Sequence, residues 1–255
     1  MKNIKKIFFK ILFNLISLFY KPFLKYKKPV RFKNIAVLGK GESVKFFVNN
    51  YHVRRKDIDL IILTNYQKND LLSFELKKYI TDIPIILLGN ITEPLLYLSN
   101  VSNLTIYEVI VQRFYPGKSK RDALTGLEML RQNFKMDSYS FKVKYLNKYI
   151  RNFIKRNPQI KTNSNCGIIG TILACSYKPE NLYVFGIDFY ETGYFNMPLL
   201  KKMDLKEKKG LLSMKEKFKE LFYVIIKNHK NIRFKIFTMS KFKKKYSNSE
   251  IINHL

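Results

Sequence analysis

Two short blocks carry the residues best suited to chemistry. The first is Asn165-Cys166-Gly167, and the second is Gly186-Ile187-Asp188-Phe189-Tyr190. Between them run the small and apolar residues 168–175, a turn-prone Ser176-Tyr177-Lys178-Pro179-Glu180-Asn181, and Leu182-Tyr183-Val184-Phe185. This order predicts loop, helix, turn, buried strand, and then a polar and aromatic cluster at the strand's carboxyl end. Ligands of open α/β sheets sit at the carboxyl ends of strands. A glycine opening a helix leaves backbone N–H groups to meet an anion. Tyr190 closes the second block with a phenol.

Further candidates follow two predicted strands. Gly39-Lys40-Gly41-Glu42-Ser43 comes after the apolar run 35–38, and Asn65 and Asn90 close the runs 58–64 and 83–88. Gly39-x-Gly41 makes a short turn at which a phosphate, ribose or base can approach the backbone. A dinucleotide fingerprint wants a third glycine where Val44 stands, and no Gly-Lys-Ser/Thr closes the loop as a P-loop requires. An asparagine amide at such a place can bond a base, ribose or sugar hydroxyl, although asparagine is also favoured wherever a strand meets a turn.

These elements must be positioned by an alternation of short apolar strands and helices. Strands are expected at 35–38, 58–64, 83–88, 104–111, 182–185 and, last, 233–237. Helices are expected at 44–51, 71–79, 142–156, within 167–175, and at 214–226. That alternation is the signature of a doubly wound, mainly parallel, Rossmann-like α/β sheet. The lysine-rich residues 191–212 are the candidate lid. At 255 residues the chain suits one such domain, 32–255, with a small appendage.

The appendage is residues 1–31, which hold nine lysines and arginines and no acid around the apolar run 11–20. That run is shorter than the ~20 residues a spanning helix needs, and Tyr20-Lys21-Pro22-Phe23 offers no small-residue cleavage site. The segment reads as an amphipathic helix lying on an anionic membrane surface, the alternative being a helix packed on the body. Across the whole chain 48 Lys and Arg oppose 19 acids, a formal charge of +29. Such a balance favours polyanions. No RNA-recognition, homeodomain or zinc-finger pattern accompanies it, so a specific nucleic-acid partner is not expected. The two cysteines, Cys166 and Cys175, fit a reducing compartment. With three histidines in all, neither a metal nor a cofactor is expected.

Taken together, Gly186-Ile187-Asp188-Phe189-Tyr190 after its helix, the turn at Gly39-Lys40-Gly41-Glu42-Ser43, and Asn65 at the end of the second strand resemble glycosyltransferase family 42, bacterial sialyltransferases that decorate lipooligosaccharide. The resemblance spans about residues 34–240 in element order, and the block 165–190 is its specific part. It implies a single-domain GT-A-like variant of the fold, a CMP-sialic acid-like nucleotide-sugar donor, a glycan or glycolipid acceptor, and metal-independent transfer with inversion. It implies a peripheral protein on the cytoplasmic, inner face of the membrane. By resemblance Tyr190, and Tyr194 after a two-residue deletion, donate to the departing phosphate. Gly39, Lys40, Gly41, Ser43, Asn65, Asn165, Cys166 and Gly167 form the donor side.

Four departures stand out. Lys40 replaces the family's asparagine between the glycines, Asn163 stands at the position of its arginine, and Asn165-Cys166-Gly167 replaces Thr-Ser-Gly. No histidine occurs from Tyr190 to Lys227, where the family has its general base. Asp204 and Glu207 are alternatives if burial raises their pKa. Asp188 reads as structural. Two rival readings remain open: a non-catalytic glycan- or nucleotide-binding protein of the same fold, and a basic protein bound to anionic membrane.

Overall fold

The computed structural model describes residues 31–49, 57–66, 76–89, 104–111, 140–143, 148–157, 165–189 and 205–253. Within them the chain forms β1 (Asn34–Leu38), α1 (Val44–Asn49), β2 (Leu60–Thr64), α2 (Leu76–Ile80), β3 (Ile85–Gly89), β4 (Ile106–Val111) and β5 (Ser140–Val143). There follow α3 (Lys148–Arg156), α4 (Cys166–Ser176), β6 (Asn181–Phe185), α5 (Leu205–Asn228), β7 (Arg233–Thr238) and β8 (Ser249–Asn253).

The strands make one eight-stranded sheet in the order β5-β4-β3-β2-β1-β6-β7-β8. Every adjacent pair is parallel. The central strands are short runs of Ile, Leu and Val buried along their whole length, as a parallel sheet covered on both faces requires. Side-chain alternation divides the core in two. Ile35, Val37, Ile62 and Leu88 face a cluster built with α3, α4 and α5, whereas Ala36, Leu38, Ile61, Leu63 and Phe185 face one built with α1 and α2. The fold is therefore doubly wound.

The order of strands fixes where a ligand would sit. From β1 the chain steps outward through β2, β3, β4 and β5, then returns to lay β6 on the other side of β1 and steps outward again. The β1/β6 boundary is the topological switch point, where the connections leave in opposite directions and open a crevice at the carboxyl edge.

Helix α4 lies beside this boundary, packed mainly on β1 and β2 and covered in turn by α3 and α5. Apolar on all sides, it is buried from Ile168 to Cys175. Gly170 lets it approach the sheet, because a Cβ there would stand 2.6 Å from Thr64 Cγ2.

Three boundaries differ from the sequence expectation. Lys142 and Val143 belong to strand β5, and the helix expected from 142 begins at Lys148. Ser140-Phe141-Lys142-Val143 is too short for its period to separate from that of the helix behind it. The strand β7 is not the last, since β8 pairs alongside it; β8 is an edge strand with no fully buried residue, and its two isoleucines give only a thin apolar signal. Helix α5 starts at Leu205 rather than 214, so residues 205–212 of the candidate lid are helical. Lysine and glutamate are good helix formers, and they carry the helix through Gly210 without an apolar stripe. Residues 191–204 of that lid and 1–30 of the basic segment lie outside the described residues. Phe32 is already core, edge-on to Tyr107 and Tyr177. None of the described helices is long and apolar enough to cross a membrane.

Candidate functional site

The site grows from one backbone contact. In the β1/β6 register Leu38 pairs with Phe185, so the two strands end level and Gly39 meets Gly186. The Gly39 N–H donates to the Phe185 carbonyl at 2.7 Å, and the Gly41 N–H to the Gly186 carbonyl at 2.8 Å. A Cβ on Gly39 would stand 2.2 Å from the Gly186 oxygen, and one on Gly186 2.4 Å from the Gly39 oxygen. Gly186 also has φ +68°, in the left-handed region that favours glycine. These glycines are required by the joining of the two turns.

Asp188 then binds three loops into one. Its Oδ2 accepts from the Ser43 N–H at 2.8 Å, its Oδ1 from Thr238 Oγ1 at 3.1 Å and the Met239 N–H at 3.0 Å, and its carbonyl from Ser240 Oγ at 2.7 Å. Both carboxylate oxygens are thus committed to holding backbone and hydroxyl donors, which is the structural role expected of it. Ser43 is fully buried, and its Oγ accepts from the Gly186 N–H at 2.8 Å. From the β2 side, the Tyr66 hydroxyl donates to the Gly39 carbonyl at 2.6 Å and Thr64 Oγ1 to that of Leu38 at 3.0 Å.

Helix α4 points its N-terminus at the same place. Asn165 is the N-cap, its Oδ1 accepting from the Ile168 N–H at 2.9 Å. Cys166 and Gly167 supply the first two N–H groups of the helix, and the Cys166 side chain is buried. Ile187 Cγ1 lies 3.2 Å from the Cβ positions of both Gly39 and Gly167, so the first turn and the α4 N-terminus flank one side chain.

Gly39, Gly41, Ser43 and Gly167 therefore converge around residues 186–188. Lys40 stands half-exposed between the glycines, and Asn65 half-buried at the end of β2. Asn65 has φ +61° and donates its N–H to the Leu88 carbonyl; asparagine tolerates that conformation better than most residues. Tyr190, Tyr194, Asn90 and Asp204 fall outside the described residues, and Glu207 lies in α5.

Phe189, the last described residue before Tyr190, is buried at φ +48°. A left-handed aromatic residue carries about 1–2 kcal/mol of strain. Edge contacts with Phe222 and Phe242 hold it there.

The electrostatics of the edge favour an anion: a lysine in the first turn, and the positive end of a buried eleven-residue helix. Among the described residues no group of three or more His, Cys, Asp or Glu is placed to hold a metal ion.

His229 lies elsewhere. It follows α5 and precedes β7, at the amino edge of the sheet, with all six residues of β7 between it and the site edge. Its Nδ1–H donates to the Ile225 carbonyl, so Nε2 accepts from the Tyr149 hydroxyl. Burial lowers its pKa and pushes that of Tyr149 up to about 12. Sequence reading passed over Tyr66, Thr238 and Ser240. Their one signal was position, a polar or aromatic residue at or just past the end of a buried strand.

No family model matches the sequence, and no curated protein does. Solved structures do. The sialyltransferase CstII from Campylobacter jejuni in complex with the substrate analogue cytidine-5'-monophosphate is 13% identical over 82% of this chain and 82% of that one, with a TM-score of 0.45. A second structure of the sialyltransferase Cst-II, a variant in complex with CMP, is 14% identical over 87% of this chain and 95% of that one, also at 0.45.

Proposed function

We propose that this chain is a glycosyltransferase that binds a nucleotide-activated acidic sugar of the CMP-sialic acid type at the β1/β6 switch point. It passes the sugar, with inversion, to a lipid-linked glycan. The observation that carries this reading is the convergence of the Gly39–Gly41 turn, the α4 N-terminus and residues 186–189 on one sheet edge. The motif blocks of the family 42 resemblance are the parts that meet there.

In this reading the donor's phosphate and carboxylate lie toward Lys40 and the first N–H groups of α4, and the Asn65 amide bonds the nucleoside or sugar. The acceptor hydroxyl attacks the anomeric carbon as the bond to the phosphate oxygen breaks, and the nucleoside monophosphate leaves with the bonding electrons. Tyr190 and Tyr194 donate hydrogen bonds to that phosphate as its charge grows. The acceptor proton passes to a base. Asp188 is unsuited to that role because its oxygens are spent on Ser43, Thr238 and Met239, and His229 sits at the opposite edge. Residues 1–31 hold the protein to anionic membrane on the cytoplasmic side, where lipid-linked acceptors are presented.

A second reading is favoured by the position of His229: the same site binds a nucleotide or glycan without transfer. A panel of nucleotide sugars, assayed for both binding and release of the nucleotide, separates the two. The transferase reading expects release from one acidic-sugar donor. Saturable binding with no release from any donor supports the second reading.

A further inference from the structure

The segment that joins β7 to β8 carries a run of cations: it starts beside the candidate site and, because β8 is parallel to β7, crosses back along α5 to the amino edge. Residues 239–246 read Met-Ser-Lys-Phe-Lys-Lys-Lys-Tyr, and no acid occurs between Arg233 and Glu250. The start of the run is pinned at Asp188 through Thr238, Met239 and Ser240. Phe242 turns inward, edge-on to Phe189, Phe222 and Tyr223. The Tyr223 hydroxyl accepts from the N–H groups of Lys243 and Lys244, and the buried Lys219 donates Nζ to the Lys241 carbonyl at 3.0 Å. Lys244 is drawn back onto Glu220, 2.6 Å from Oε2. What is left outward is Lys241, Lys243 and Lys245, all exposed.

We propose that Lys241, Lys243 and Lys245 form a docking surface for anionic phospholipid head groups along the α5 side of the β7–β8 connection. The chemistry of the patch selects this partner. Lysines are compact charges suited to scattered phosphates, and the patch has none of the arginine forks that bind phosphate bidentately. Both aromatics of the run pack inward, Phe242 as above and Tyr246 against Tyr223, so no ring is presented on which a nucleic-acid base would stack. Each lysine near an anionic membrane surface adds roughly a fivefold gain in binding. The anchoring on α5 means no ordering of the loop opposes docking. The inference does not require the chain to be a transferase.

The test compares two charge-matched triple variants of the full chain on mixed phosphatidylglycerol–phosphatidylcholine vesicles at low salt. Lys241→Glu/Lys243→Glu/Lys245→Glu reverses the patch, and Lys45→Glu/Lys78→Glu/Lys155→Glu reverses three exposed cations on α1, α2 and α3. The patch variant is expected to bind at least about tenfold more weakly than the helix variant. The Gln versions of both triples should give the same ranking if a Glu version fails to fold. Equal losses in the two triples would show that only net charge matters and overturn the proposal. So would an undiminished patch variant, or a patch variant whose loss on a random-sequence RNA exceeds its loss on vesicles.

Discussion

Gly186 is the residue on which the site's geometry turns, because a backbone-to-backbone contact leaves no room for a side chain. In Gly186→Ala the new Cβ would lie 2.4 Å from a carbonyl oxygen and keep φ at +68°. The left-handed conformation alone costs about 1–2 kcal/mol, and the backbone clash adds to it. A fall in stability of at least ~2 kcal/mol is expected in urea unfolding, and a change within 0.5 kcal/mol would mean that the turns are not locked together. The need for glycine at 39 and 186 was legible as punctuation after two apolar runs. That they serve each other was not, since the contact joins residues 147 positions apart through the strand register. Asp188 shows the reverse case: its sequence position marked it as structural, and its four acceptor contacts bear that out.

At the scale of elements, α4 is both a core helix and one wall of the site, and one substitution separates the roles. Asn165→Asp keeps an acceptor for the Ile168 N–H, and aspartate caps as well as asparagine. It also places a carboxylate where the proposed donor puts its own negative charge. Thermal stability is expected to hold within a degree or two, while donor affinity falls by about tenfold or more, a ~1.4 kcal/mol loss. Retained affinity would move the anion away from this helix.

The amino edge supplies a control on pH. Burial keeps His229 neutral, with its folded pKa below the ordinary 6.5. Below pH 6.5 the unfolded chain therefore takes up a proton that the native imidazole does not, and stability is lost as pH falls toward the folded value. Urea midpoints should drop between pH 7.5 and 5.5, and drop less in His229→Gln; parallel curves would place the imidazole in water. Periodicity revealed most of the elements. It missed β8 and the start of α5, where the apolar signal is thin or lysines carry the helix.

At the scale of the molecule, an excess of 29 positive charges is organised: the β7-to-β8 connection carries the Lys241–Lys245 run from the site edge back along α5. Deleting residues 1–30 is expected to leave the unfolding transition unchanged, because among the described residues the core already starts at Phe32 and the first strand at Asn34. Vesicle binding should fall. A body that no longer folds would assign that segment to the core instead.

The strand order, and with it the location of the switch point, was beyond the sequence, since alternating strands and helices fit more than one order. The central claim is that the edge where β1 and β6 meet activates a nucleotide-linked acidic sugar. The most direct measurement is release of CMP from CMP-sialic acid by the full chain, with an acceptor glycan present and absent, in the native protein and in Tyr190→Phe. The account predicts measurable release that falls by about 100-fold in the variant, the ~3 kcal/mol commonly lost with one donor aimed at developing charge, while donor affinity stays within a few-fold. Release that is equal in the two proteins would contradict it.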